Sequence, residues 1–176
     1  MSKYVKSNLI NLFYKTADGY KFFAYGQSHS LSVSSSTSEV SSKDHGNHPD
    51  SEVTQTSFTL SGEFYFTKEN ANTALAMANA ATPITFCFAQ VAETSAADGL
   101  QPVTNYGSQT SWTIGSDFKE YGNAIITSFS IQSQTGEVAT CSIEATGQGA
   151  LSATEPSGDN AHAWDDTTTI NASTGN

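Results

Sequence analysis

Ten residues, Ser57 to Phe66 (SFTLSGEFYF), constrain this chain more than any other stretch. Phe58, Leu60, Gly62, Phe64 and Phe66 take every second position, and Ser57, Thr59, Ser61, Glu63 and Tyr65 fill the places between. Successive side chains of a strand point to opposite faces, so a period of two makes one apolar and one polar face. Such a strand must set its apolar side on a core. Upstream, Asp44, His45-Gly46, Asn47 and Pro49-Asp50 crowd together turn-forming residues. They favour turns through positive φ, a fixed φ, or hydrogen bonds to their own backbone. The expectation is a long polar loop over 36–56. A segment of that length and polarity is costly to order unless another copy holds it.

The rest of the chain reads mainly as strands. Leu9 to Tyr14 is a short apolar segment, and Asp18-Gly19 marks a hairpin turn into the aromatic run Tyr20 to Gln27. His29 to Ser35 alternates, with Leu31 and Val33 on one side. From Glu69 to Ala81 the period changes: Ala71, Ala74, Leu75 and Ala78 recur at helical spacing in an alanine-rich run that Thr82-Pro83 ends. Pro83 to Val91 is strand, with Ile84, Phe86 and Phe88 sharing a face. A second long connection, Glu93 to Gly107, leads to Ser111 to Ser116, which pairs Trp112 with Ile114. A second hairpin joins Asn123–Ser133 to Val138–Thr146 across Gln134-Thr135-Gly136-Glu137. Its expected apolar faces are Ile125, Phe129 and Ile131, opposite Ala139, Cys141, Ile143 and Ala145. The sum is an all-β sandwich or barrel of about eight strands with one short helix packed on the sheet. Residues 1–155 form that domain, and 156–176 form a polar extension with Trp164 as its large anchor.

Seventeen acidic residues face seven lysines and no arginine, for a formal net charge of −10. Proteins that grip phosphates use basic residues, arginine above all, so this composition argues against DNA binding. No apolar run is long enough to span a bilayer, and the first residues do not read as a secretory signal. Cys87 and Cys141 lie within apolar strands and read as small buried hydrophobes. No Gly-x-Ser-x-Gly elbow or phosphate-cradling glycine loop occurs. His45 and His48 with Asp44 and Asp50 read as ordinary loop composition rather than a metal site. Asp165-Asp166 reads as solvated tail rather than a carboxylate pair. Lys3, Lys6, Lys15 and Lys21 make the N-terminal part the least acidic, suited to solvent or to an acidic neighbour. No catalytic residue and no cofactor site is expected.

Several pieces resemble, in order, the major tail (tail tube) protein family of long-tailed bacteriophages. They are Ser42-Lys43-Asp44-His45-Gly46 in the loop, the strand Phe58 to Phe66, and the helix Asn70 to Ala80. The strand Gly122 to Phe129, the turn Gly136 to Thr140 and the strand end Gly147 to Leu151 follow. Many family members carry a tryptophan shortly after the loop glycine, where this chain has Asn47 to Glu52. The resemblance implies a structural virion protein, assembled in the host cytoplasm into hexameric rings stacked head to tail. Its partners would be other copies, the tape-measure protein and other tail proteins, with double-stranded DNA passing through without specific binding. On this reading Ser42 to Gly46 contact the next ring, and Glu63 or Glu144 faces the bore. The rival readings are the inner tube of a contractile injection system, and a β-sandwich adhesin or carbohydrate-binding module using Tyr106 and Trp112.

Overall fold

The computed structural model describes residues 10–23, 26–40, 50–91 and 114–165. Within them lie seven strands: β1 (Ile10–Thr16), β2 (Gly19–Phe22), β3 (Gly26–Val40), β4 (Asp50–Tyr65), β5 (Ile84–Val91), β6 (Ile114–Gln132) and β7 (Thr140–Ser152). One helix, α1 (Lys68–Ala80), follows β4. All seven strands join one sheet in the order β2-β1-β5-β6-β7-β4-β3, with every neighbouring pair antiparallel.

The sheet is rolled, and the connection between its two ends requires this. β2 and β3 are the outermost strands, yet only residues 23–25 separate them. A chain spans at most ~3.6 Å per residue, so the sheet's ends must approach each other. Phe23 sits in that seam, stacked on Phe64 of β4 (centroids 4.9 Å apart, planes 7° apart) and against Tyr14 of β1 at 5.0 Å. The interior holds Leu12, Phe58, Leu60, Phe64, Ile84, Phe86, Ile126 and Ile143. A second cluster on the opposite side of the sheet holds Phe13, Tyr20, Cys87, Ala89 and Tyr121. β5 is therefore buried on both faces, Ile84 and Phe86 on one and Thr85, Cys87 and Ala89 on the other.

The alternating strand behaves as its pattern requires. Phe58, Leu60 and Phe64 are buried, while Phe66, just past the strand end, is exposed. Phe58 lies where β4 parts from β7, over two glycines. A Cβ on Gly147 would sit 2.3 Å from its ring, and one on Gly122 2.6 Å, so both positions need glycine for the ring to lie there.

Four expectations are corrected. First, the polar stretch over 36–56 is not all loop. β3 and β4 stay paired out to Val40↔Asp50, so 36–40 and 50–56 are strand, and 41–49 lie outside the described residues. Serine and threonine hide strand propensity when neither face is buried. Second, the segments read separately as Ser111–Ser116 and Asn123–Ser133 belong to one strand as far as described, β6 from Ile114 to Gln132. Third, Ile125 does not share a face with Phe129 and Ile131. Ile126↔Ala145 is followed by Ser128↔Glu144, a bulge that reverses the alternation, so Ile126 takes the core face with Phe129. Fourth, Leu75 is 38% exposed, and Met77, fully buried, fills the position expected for it beside Ala71 and Ala74.

Thr67 caps α1 by accepting from the Asn70 backbone N–H at 3.1 Å, and Ala81 ends it in the left-handed region (φ 49°). Of the polar stretch from 156, residues up to 165 are described, and one of them belongs to the core. Its Trp164 is only 9% exposed, within the main core.

Candidate functional surface

β3, β4, β7 and the second half of β6 share one face that points away from the core. Registered across it, Ser30, Ser61, Glu144 and Ser128 form one row, and Ser28, Glu63, Ser142 and Ser130 the next. Ser32, Thr59 and Thr146 continue it. The polar half of every alternating strand is thus gathered on one side, because each strand's other half is committed to the core. Two hydroxyl pairs bond across strands, Ser34 with Ser57 at 3.2 Å and Ser130 with Ser142 at 2.6 Å, and Thr127 donates to the Glu144 carbonyl. Glu63 and Glu144 are the charged groups in these rows, on adjacent strands. No basic residue stands among them.

This four-strand portion has two open edges. Among the described residues, β5 pairs with β6 only as far as Ala124, so the outer edge of 125–132 has no described partner strand, and β3 is the last described strand on the other side. Open edges invite pairing with another chain. Beyond Phe58, among the described residues, β3 and β4 pair only with each other and project as a two-stranded arm. Val33 (57% exposed) and Val53 (58%) lie on one face of it.

The remaining polar chemistry is structural. Lys15 meets the Glu155 carboxylate, to which the Tyr20 hydroxyl also donates at 3.1 Å, so this lysine is engaged within its own chain. The Lys15 hydrogen bond holds Glu155 below the usual carboxylate pKa. Burial pushes the Cys87 thiol up to about 12, which removes it as a nucleophile, and Cys141 is likewise buried and raised. Among the described residues no three His, Cys, Asp or Glu side chains gather as a metal site. Ser42 to Gly46, His48, Tyr106, Trp112 and Asp166 lie outside the described residues.

A family model for phage tail tube proteins matches residues 5–153. The chain belongs to that family. It is a structural protein of the virion tail, not an enzyme. Similar folds occur in the tail of an empty gene transfer agent particle refined with C6 symmetry (TM-score 0.63, 16% identity, covering 86% of this chain and 100% of that one). They occur also in the SPP1 tail tube (TM-score 0.57, 12% identity, 83% and 77% covered). A chain of the six-fold symmetrised anti-feeding prophage baseplate scores 0.54 at 10% identity, with 86% and 96% covered. No curated protein sequence matches the tail tube protein. Neither the open edge on β6 nor the arm was visible in the sequence. The arm hides behind its serines, and the edge depends on where β5 stops.

Proposed function

We propose that copies of this tail tube protein close into hexameric rings by strand addition, the β3 edge of one copy meeting the free β6 edge of the next. The observation that carries this reading is the pair of open edges flanking one continuous four-strand sheet with a hydroxyl-covered face. Edge pairing would join these sheets into a barrel, with the apolar faces turned toward each subunit's own core and the hydroxyl rows lining the bore. The sixfold arrangement is supported by the C6 symmetry of the similar gene transfer agent tail. The rings stack head to tail, and the β3–β4 arm, together with the Ser42 to Gly46 stretch of the sequence, contacts the adjacent ring. The bore holds the tape-measure protein and then passes double-stranded DNA. The rows carry no basic group to hold phosphate, and Glu63 and Glu144 repel it.

Electron microscopy of the concentrated protein tests this reading: rings or tubes are expected, with Glu63 and Glu144 facing inward. A reconstruction with both carboxylates on the outer wall would overturn the assignment of the bore. The likeness to a baseplate chain of the anti-feeding prophage favours a second reading, an inner tube within a contractile sheath. Sheath protein binding along the assembled tube would support it.

A further inference from the structure

Main-chain bonding fixes what each open edge of the four-strand portion offers. The Phe66 N–H donates to the Ala139 carbonyl at 2.8 Å, continuing the register Phe64↔Cys141. Bonded and non-bonded positions alternate along an antiparallel pair, so the core-facing pairs of β4 and β7 are the bonded ones. Residues of the hydroxyl face turn their main-chain groups the other way, Ser57 and Ser61 to β3, and Ser142 and Glu144 to β6. One more step of alternation turns the N–H and C=O groups of Leu31 and Val33 to the β3 edge, and those of Phe129 and Ile131 to the β6 edge.

These same four residues are apolar groups short of cover. Their cross-strand partners Leu60, Phe58, Ile143 and Cys141 are buried, which places all four on the core side of the sheet. Yet Val33 and Ile131 are exposed, Ile131 to 49%, and Leu31 and Phe129 pack only partly against the core. The strands of this portion alternate in direction, so copies related by rotation set β3 of one antiparallel to β6 of the next.

Resting on the ring reading above, we infer that these edges meet in one register, Leu31 opposite Ile131 and Val33 opposite Phe129. Each residue with main-chain groups at the edge is then opposed by another such residue, and two apolar pairs cross the seam on the core side. On the other face Ser32 falls opposite Ser130, and Ser34 opposite Ser128. A slip of two residues would set Val33 against Thr127 in one direction, or Leu31 against Ser133 in the other, and lose an apolar pair.

The same register supplies the slope that a closed barrel needs. Within one copy Ser128 is level with Ser30, through Ser61 and Glu144. Across the seam it meets Ser34, four residues further along β3. A step of that size, ~13 Å, over the width of four strands, ~19 Å, tilts the strands by ~35°. Barrels close with tilts of about 35–45°. Ser30 opposite Ser128 would give no tilt at all.

Disulfide cross-linking in assembled tubes tests the alignment. Within one copy Ser34 and Ser128 are three strand spacings apart, ~14 Å, beyond disulfide reach, so any link joins two copies. The serines involved are exposed, and the native Cys87 and Cys141 are buried. The double variant Ser34→Cys with Ser128→Cys is expected to give a ladder of linked copies on a non-reducing gel. Ser32→Cys with Ser130→Cys should do the same, since both pairs occupy non-bonded positions with Cα atoms ~4.5 Å apart. Ser30→Cys with Ser128→Cys is expected to stay unlinked. A ladder from that last pair in place of the first two would overturn the register and leave the ring reading standing. Tubes in which none of the three pairs links would overturn the pairing of these edges, and the register with it.

Discussion

His29 shows how much a single residue's setting depends on the roll of the sheet. It pairs opposite Gly62, and its ring edge lies 3.5 Å from where a Gly62 Cβ would stand. Leu12 of β1 reaches to 3.8 Å from the same point, so the imidazole sits where the two ends of the sheet converge. Burial there disfavours the charged ring and lowers its pKa from the ordinary 6.5. The unfolded chain therefore binds a proton more readily than the folded one as pH falls below about 6.5. The His29 contribution to stability is complete above that pH and is lost as pH drops toward the lowered folded value. Urea denaturation at pH 7.5 and 5.5 is expected to show lower stability at the acidic pH. His29→Gln should remove a measurable part of that difference, and an unchanged difference would place its origin elsewhere.

At the scale of elements, legibility in the sequence tracked how completely one face was buried. β4 between Phe58 and Phe64 was plain because its apolar half meets the core and its polar half does not. The arm resembles loop in the sequence because its residues, exposed on both faces, carry no apolar alternation. In β6 a bulge after Ile126 broke the count of two, which composition alone does not announce. α1 was recognised as a helix, yet its face was turned: a narrow alanine stripe fits more than one orientation, and Met77 rather than Leu75 became its anchor. Met77→Ala is accordingly expected to destabilise by ~2–5 kcal/mol, and Leu75→Ala to change stability by about 0.5 kcal/mol or less. Thermal melts of the two variants check the ordering. The arm carries its own test, because Lys43 is the only trypsin site, lysine or arginine, between Lys21 and Lys68. Trypsin is expected to cut the free subunit at Lys43 and to spare it in tubes; equal cutting in both would take the tip out of the ring contact.

For the whole molecule, the decisive property is the segregation of charge and hydroxyls onto one side of a four-strand sheet. The candidate carboxylates were legible as polar-face residues, but their adjacency on β4 and β7 was not, because register between distant strands is invisible to local pattern. If that face lines the bore, Glu63→Lys or Glu144→Lys should leave tube assembly intact and slow genome release. The delay should shrink as salt rises, since screening shortens the reach of the new attraction. A delay that salt does not alter would point to a steric or folding cause.

The position of β5 has a consequence for how the chain is made. β1 can pair at once with β2, Phe13 opposite Phe22, but its other edge finds Cys87 only when β5 has been synthesised, and Trp164 later still. The β3–β4 arm and the β6–β7 pair join segments nearer in sequence and can zip as they appear. The N-terminal hairpin must therefore wait, its apolar residues uncovered, until the centre of the sheet arrives. Final closure falls to Trp164, which follows every strand of the sheet in the chain. The outer edge of the N-terminal hairpin is thereby covered only after the centre of the sheet has been made.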